Sequence, residues 1–289
     1  MPELPEVEVV RLFLEPYLVG STVTKLEILT PQSFVGDLSL IVGQKITGLT
    51  RVGKQLSIHL QNDYIALVHL KMTGQLILVP NAQERLLMGH PTKNMDTQVL
   101  PNKSTRLVFS FNNGAVLYFN DQRKFGWIKL MTLPEIKVSQ SNLGHDIFDP
   151  RFTPNYVYSQ LQRSSRPVKL VLLDQSFFAG IGNIYANDAL FLSGLHPQTK
   201  SNQVARSQSR LIHQHLLEIM RQSVLSGGST ARDNKYLRPD GTKGQNQFSF
   251  RVYQREGEPC LVCTTPLKRL KLGGRGTFYC PNCQKLKSL

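Results

Sequence analysis

The sequence predicts an α+β protein built in parts: an N-terminal helix, a strand-rich sandwich or barrel, a helical domain and a small cysteine-bearing module. Three observations predict it. Seven short runs rich in apolar and β-branched residues fall within the first 131 positions. From residue 153 onward the apolar spacing becomes helical. All four cysteines lie beyond residue 259, as two Cys-x-x-Cys pairs.

Val7, Val10, Leu14 and Leu18 recur at helical spacing behind Pro5, so 5–18 reads as an amphipathic helix. The strand-like runs follow at 21–29, 55–60, 64–70, 75–79, 106–111, 115–121 and 126–131. Asn62-Asp63 and Asn112-Asn113-Gly114 separate neighbouring runs and read as hairpin turns. So much strand in so short a segment argues for a sandwich or a barrel. Residues 81–104 are polar and contain prolines, and are expected to form an exposed, mobile loop.

These patterns divide the chain into a strand domain at 1–131, a linker at 132–150, a helical domain at 151–247 and a cysteine module at 248–289. Helices are expected at 153–163, 167–176, 183–193 and 204–226. Residues 227–247 have almost nothing apolar and read as a second flexible stretch. No internal repeat is visible.

At 289 residues the chain is long enough for two domains with proper cores plus an accessory module. Its 34 basic residues against 20 acidic ones leave a net charge of +14, which points to a polyanionic partner, nucleic acid first. No apolar run reaches the ~18 residues of a membrane span, and the acidic opening does not fit a secretory signal. A cytoplasmic protein touching no membrane is the simplest reading. The absence of cysteines outside one stretch suits a reducing compartment.

Cys260-x-x-Cys263 and Cys280-x-x-Cys283 enclose sixteen residues, the Cys₄ spacing of a zinc ribbon or finger. Four protein ligands leave no position for a substrate water, so one structural Zn²⁺ is expected. His213 and His215, two apart on a predicted helix, face different ways and read as surface or packing residues.

The opening Met1-Pro2-Glu3-Leu4-Pro5-Glu6-Val7-Glu8 carries the chemistry. Methionine ahead of a small residue is normally removed, leaving a prolyl secondary amine with a pKa of ~8. Such an amine can attack an electrophilic carbon to give an iminium ion that stays cationic and acts as an electron sink. Glu3 follows as a ready acid. Read locally, the prolines only stiffen the start, and the acids only favour a first helical turn.

The rest of the chain decides between these readings. The opening resembles that of bacterial formamidopyrimidine-DNA glycosylases. The resemblance recurs at Gly53-Lys54, His69-Leu70-Lys71-Met72-Thr73-Gly74 and Asp121-Gln122-Arg123-Lys124-Phe125-Gly126. It continues at Gly180-Ile181-Gly182-Asn183-Ile184-Tyr185-Ala186 and Gly274-Arg275-Gly276-Thr277-Phe278-Tyr279-Cys280. These segments stand in the family's order along the whole chain.

The resemblance implies an N-terminal β-sandwich, a helix–two-turns–helix domain with a lesion-capping loop, and a zinc finger. It implies that Pro2 attacks C1′ of a damaged nucleotide, that Glu3 protonates the sugar, and that Lys54 assists the first elimination and binds phosphate. Arg275, at the tip of the finger hairpin, matches the arginine that grips phosphate and assists the last elimination. Because a base inside a duplex is out of reach, the nucleotide must be everted and the gap filled. Met72 matches the void filler, and Arg123 with Phe125 the pair facing the orphaned base, although from sequence alone Phe125 reads as core. Asn183 reads as a helix N-cap that receives a phosphate. Arg163, Arg166 and Lys169 are phosphate contacts by charge.

The sequence departs from the family in three places. A Lys-His-Asp-His segment is replaced by Lys103-Ser104-Thr105-Arg106, with Arg106 standing in as a DNA contact. Lys124 replaces a second arginine, and Asp188 occupies the place of a more usual glutamate.

The expected activity is therefore a DNA glycosylase/AP lyase for oxidised purines in damaged double-stranded DNA, acting as a monomer without an organic cofactor. The nearest rival is the endonuclease VIII branch, which prefers oxidised pyrimidines; Leu4, where that branch commonly has glycine, and the Arg123/Phe125 pair argue against it. The other rival, an inactive DNA-binding relative or zinc-ribbon factor, is opposed by intact Pro2, Glu3 and Lys54.

Overall fold

In the computed structural model, which describes residues 2–81, 84–89, 99–229 and 245–286, the chain opens with helix α1 (Leu4–Leu18). Pro5 sits in the first turn, where a missing N–H is harmless. Glu3 caps the helix through a reciprocal box: its N–H donates to the Glu6 carboxylate at 2.9 Å, and its side chain accepts from the Glu6 N–H.

Ten strands follow: β1 (Val23–Ile28), β2 (Phe34–Val35), β3 (Ile46–Val52), β4 (Gln55–Leu60), β5 (Tyr64–His69), β6 (Gly74–Asn81), β7 (Glu84–Gly89), β8 (Thr105–Phe111), β9 (Val116–Asp121) and β10 (Trp127–Thr132). They form two five-stranded sheets, ordered β1-β8-β9-β6-β7 and β2-β10-β5-β4-β3. Every pairing is antiparallel except β2 with β10. Leu76, Leu78, Leu107, Phe109, Leu117 and Phe119 from one sheet share a core with Leu56, Ile58, Ala66, Val68 and Ile128 from the other. Two sheets with a common apolar interior make a sandwich and dispose of the barrel alternative. Val7, Val10, Leu14 and Leu18 enter the same core, and α1 packs on β3, β4, β6 and β7.

The expected loop at 81–104 is in part a strand: β7 pairs with β6, and residues 90–98 lie outside the described residues. Strands β2 and β3 were not expected either. The alternation in β3 is obscured by Gly48 and by a register shift between Ile46 and Gly48. The stretch 132–150 contains helix α2 (Leu133–Gln140), started by a Thr132/Glu135 capping box with Pro134 in its first turn.

Contacts group Met1–Asn142 and Val224–Gln247 in one unit, and Leu143–Ser223 and Phe248–Leu289 in a second. The second unit holds β11 (His145–Asp146), α3 (Pro154–Gln162), α4 (Val168–Leu173), β12 (Phe178–Ala179), α5 (Asn183–Leu192), most of α6 (Arg206–Leu225), and a hairpin of β13 (Lys268–Leu272) and β14 (Arg275–Tyr279). His213 is a packing residue: its Nε2 lies 2.8 Å from the Phe152 carbonyl, and its ring stacks on Phe152.

Candidate active site

In the first unit, Pro2 and Glu3 are buried at the start of α1. Glu6, one turn on, reaches the flexible stretch expected at 227–247: its Oε1 accepts from the Ser229 N–H at 3.0 Å. Ser229 Oγ in turn accepts from Asn246 Nδ2 at 2.7 Å. The stem of that stretch is thus fastened beside Pro2 and Glu3, and residues 230–244 lie outside the described residues.

Lys54 is buried in the tight turn joining β3 to β4. Gly53 supplies the turn's positive φ of +57°, a conformation that a side chain would strain. Arg51 holds the turn from behind, its Nη1 donating to the Gly53 carbonyl at 3.0 Å while its Nε donates to Glu8 at 2.8 Å. Glu8 also accepts from Arg11 at 2.8 and 3.0 Å. Burial pushes the Glu8 carboxyl up, but the hydrogen bonds and charges of Arg11 and Arg51 outweigh it and leave the pKa below its usual value.

Two loops leave the same end of the sandwich, and Asp121 organises both. Its fully buried carboxylate accepts from the Thr73 hydroxyl in one loop. It also accepts from the Arg123 N–H at 3.1 Å and the Gly126 N–H at 2.6 Å in the other. Thr73 Oγ1 accepts a second bond from the Arg123 N–H at 3.0 Å. Gly74 and Gly126 are fixed by space: a Cβ on the first would collide with the Leu70 carbonyl, and on the second with Phe119. With the loop bases locked, the tips project. Met72 is 41% exposed and Phe125 53%, and the Arg123 guanidinium lies over the Phe125 ring at 4.7 Å. Phe125 is therefore not core.

Arg106, expected as a DNA contact, is held within the protein. Only 7% exposed, it donates from Nε to the Asp121 carbonyl at 2.8 Å and braces the loop from inside. His69 has no role implied by the resemblance. It stands between the loops on β5, paired across the sheet with Trp127, and its Nδ1 accepts from the Lys71 N–H at 3.0 Å. Burial, then the charges of Lys71 and Lys54, push its pKa down to about 3, so it is a neutral imidazole beside Lys54.

In the second unit, α5 and α4 clamp the finger hairpin. Asn183 is the first residue of α5 rather than its cap, which is Gly182. The Asn183 side chain donates to the Gly276 carbonyl at 3.1 Å. Lys169 is fully buried, with Nζ donating to the same carbonyl at 3.0 Å and to Thr277 Oγ1 at 2.7 Å. In this structure its ammonium pins protein, a role that its charge alone did not suggest. Asn187 completes the clamp by accepting from the Phe278 N–H at 2.8 Å. Arg275, adjoining these anchored residues, remains exposed. Arg166 is exposed, paired with Asp174 at 2.8 Å, and lies over Phe177. Arg163 flanks the same ring at 5.5 Å. Asp188 accepts the N–H groups of Arg251, Val252 and Tyr253 at 3.0 to 3.1 Å, so the departure from glutamate serves as an anchor for the chain entering the finger.

The sulfurs of Cys260, Cys263, Cys280 and Cys283 all lie within 4.8 Å of one another. Three pairs stand at 3.4, 3.5 and 3.9 Å, close to the edge of about 3.8 Å that a tetrahedron of thiolates around zinc requires. The donor set fits a structural Zn²⁺. Gln284 ties this knuckle to the helical part, accepting from Cys280 N–H at 2.9 Å and donating to the Leu195 carbonyl at 2.7 Å.

Comparison with known proteins matches all three parts in order. Residues 1–128 match the formamidopyrimidine-DNA glycosylase N-terminal domain, 143–235 its H2TH domain, and 257–286 the zinc finger found in FPG and IleRS. The formamidopyrimidine-DNA glycosylase of an Exiguobacterium species is 35% identical, the match covering 99% of this chain and 100% of that protein. That of Bacillus licheniformis is also 35% identical over the same shares. The crystal structure of the Thermus thermophilus MutM (FPG) protein superposes with a TM-score of 0.84 at 33% identity, covering 99% of this chain and 100% of that one. The Lactococcus lactis Fpg in complex with abasic-site DNA gives 0.84 at 30% identity, over the same shares. The chain belongs to the formamidopyrimidine-DNA glycosylase family.

Proposed function

We propose that this protein is a bifunctional DNA glycosylase/AP lyase that removes oxidised purines, 8-oxoguanine and formamidopyrimidines, from duplex DNA and then nicks the strand. The observation that carries the reading is the buried Pro2-Glu3 start of α1, in a chain whose three parts match the family in order. Once Met1 is removed, the Pro2 amine attacks C1′ of the everted nucleotide. The glycosidic bond breaks, the base leaves with its electron pair, and it takes up the proton that the prolyl nitrogen gives up on becoming a tertiary amine. Glu3 protonates the ring oxygen, the C1′–O4′ bond opens, and the nitrogen lone pair closes the iminium. The cation acidifies the 2′ carbon. Loss of a 2′ proton expels the 3′ phosphate with Lys54 assisting, and a second elimination expels the 5′ phosphate with Arg275 assisting.

Met72 fills the vacated space, and Arg123 with Phe125 faces the unpaired base, in keeping with their exposure on loops braced by Asp121. Asn183, Arg166 and Arg163 serve phosphates in the second unit. Zinc, bound by the four cysteines, supports the hairpin that carries Arg275 and takes no part in bond breaking. The enzyme works in the cytoplasm, as a monomer. Among the described residues no helix is long and apolar enough to cross a membrane, and the relatives are bacterial proteins.

The test is excision from matched duplexes carrying 8-oxoguanine, a formamidopyrimidine or thymine glycol. The purine lesions are expected to be released faster. Preference for thymine glycol would move the chain to the endonuclease VIII branch.

A further inference from the structure

The carboxylate of Glu8 and the guanidinium of Arg51 lie outside every catalytic role assigned above, yet together they form a continuous link between the nucleophile's helix and the turn that carries Lys54. Glu8 stands in the second turn of α1, about 6 Å along the axis from Leu4 at 1.5 Å per residue. At the head of that helix the Glu3–Glu6 box fixes the backbone next to Pro2. Arg51 is almost wholly buried, with a side-chain exposure of 5%, and its fork serves two elements at once. Nε donates to Glu8 Oε2 at 2.8 Å, and Nη1 donates to the Gly53 carbonyl at 3.0 Å, one residue before Lys54. Arg11 grips the other Glu8 oxygen through Nε and Nη2, and Glu15 through Nη1 at 2.8 Å, so the carboxylate cannot swing away.

We infer that the Glu8–Arg51–Gly53 link is a positioning brace that sets where the Lys54 ammonium stands relative to the Pro2 iminium, and so governs the first elimination rather than formation of the iminium. The inference rests on the role given to Lys54 above. Arginine suits the geometry: its rigid planar fork presents Nε to the Glu8 carboxylate and Nη1 to the Gly53 carbonyl at fixed, separate directions. A lysine keeps the buried charge paired with Glu8 but gives up the reach to Gly53. Lys54 sits in a two-residue turn whose conformation depends on the positive φ of Gly53, so freeing that carbonyl shifts the ammonium. Displacements near 1 Å lower rates by about 100-fold when geometry is critical.

Arg51→Lys is the informative variant, because Glu8→Gln leaves a buried guanidinium short of its counter-charge and puts folding itself at risk. The experiment measures two rates on a duplex with a pre-formed abasic site: borohydride trapping, which reports the iminium, and strand nicking after it forms. Arg51→Lys is expected to trap at the wild-type rate and to melt within a few degrees of wild type, while nicking slows by roughly 10- to 100-fold. In a Lys54→Ala background the same substitution is expected to slow nicking no further. The brace is refuted if Arg51→Lys nicks normally while Lys54→Ala is slow, or if it slows trapping and nicking equally. It is refuted too if its effect multiplies that of Lys54→Ala in full. If Lys54→Ala itself nicks at the wild-type rate, the reading of Lys54 fails first and the brace falls with it.

Discussion

The residues that project from the sandwich divide by what holds them. Met72 and Phe125 are apolar side chains in open positions, which costs the free protein some hydrophobic stabilisation and is tolerated because the loop bases are locked by Asp121. Their proposed work is positioning, so Met72→Ala or Phe125→Ala is expected to impair excision from an intact duplex, where unstacking costs a few kcal/mol. Cleavage of a pre-formed abasic site, with no base to evert, should suffer much less. The ratio of the two rates is the readout; an equal fall in both would assign the side chains to folding. Phe125 also shows a limit of sequence reading. An aromatic between a lysine and a glycine looks like core, and only the loop's turn, with Lys124 at a φ of +58°, sends it outward. Arg106 and Lys169 show the opposite limit: charge suggests solvent, and nothing local reveals their burial or their carbonyl partners.

At the scale of elements, the apolar pattern served where runs are bounded by turns, even in β5 and β8, which are buried on both faces. Helix α1 and strands β4, β5 and β8 to β10 all lie within a residue or two of their expected spans. It failed for β3, interrupted by Gly48 and a register shift, for β7, set in a polar stretch, and for α2, concealed by a proline that favours a first turn. The finger shows how elements combine to place one residue. The four thiolates, Gln284, Lys169, Asn183 and Asn187 fix β14 on both sides of its strand, leaving Arg275 to project. Cys280→Ser is expected to release one zinc per chain and weaken DNA binding, with excision failing in consequence. Lys169→Met should retain zinc but lower the second elimination relative to the first, as Arg275→Ala would. Elemental analysis together with the distribution of elimination products decides it: fully active enzyme without zinc contradicts the structural role, and an unchanged product ratio in Lys169→Met contradicts the clamp.

For the whole molecule, the net charge of +14 agrees with a polyanionic substrate but names none. What names it is the ordered recurrence of short motifs from Pro2 to Cys283, together with the match of three domains in the same order. The motifs singled out Pro2, Glu3, Lys54 and the loop tips as candidates, and located the cysteine cluster. They were silent on the Glu8–Arg51 brace, the Asp121 hub and the finger clamp, because those depend on partners far apart in the chain. The central claim is that a free Pro2 amine performs the chemistry. It is tested most directly by borohydride trapping on an 8-oxoguanine duplex, comparing enzyme that begins at Pro2 with enzyme carrying one additional residue ahead of it. The account predicts a covalent protein–DNA adduct from the first and none from the second, with DNA binding retained by both. Equal trapping and excision by the blocked enzyme would contradict it.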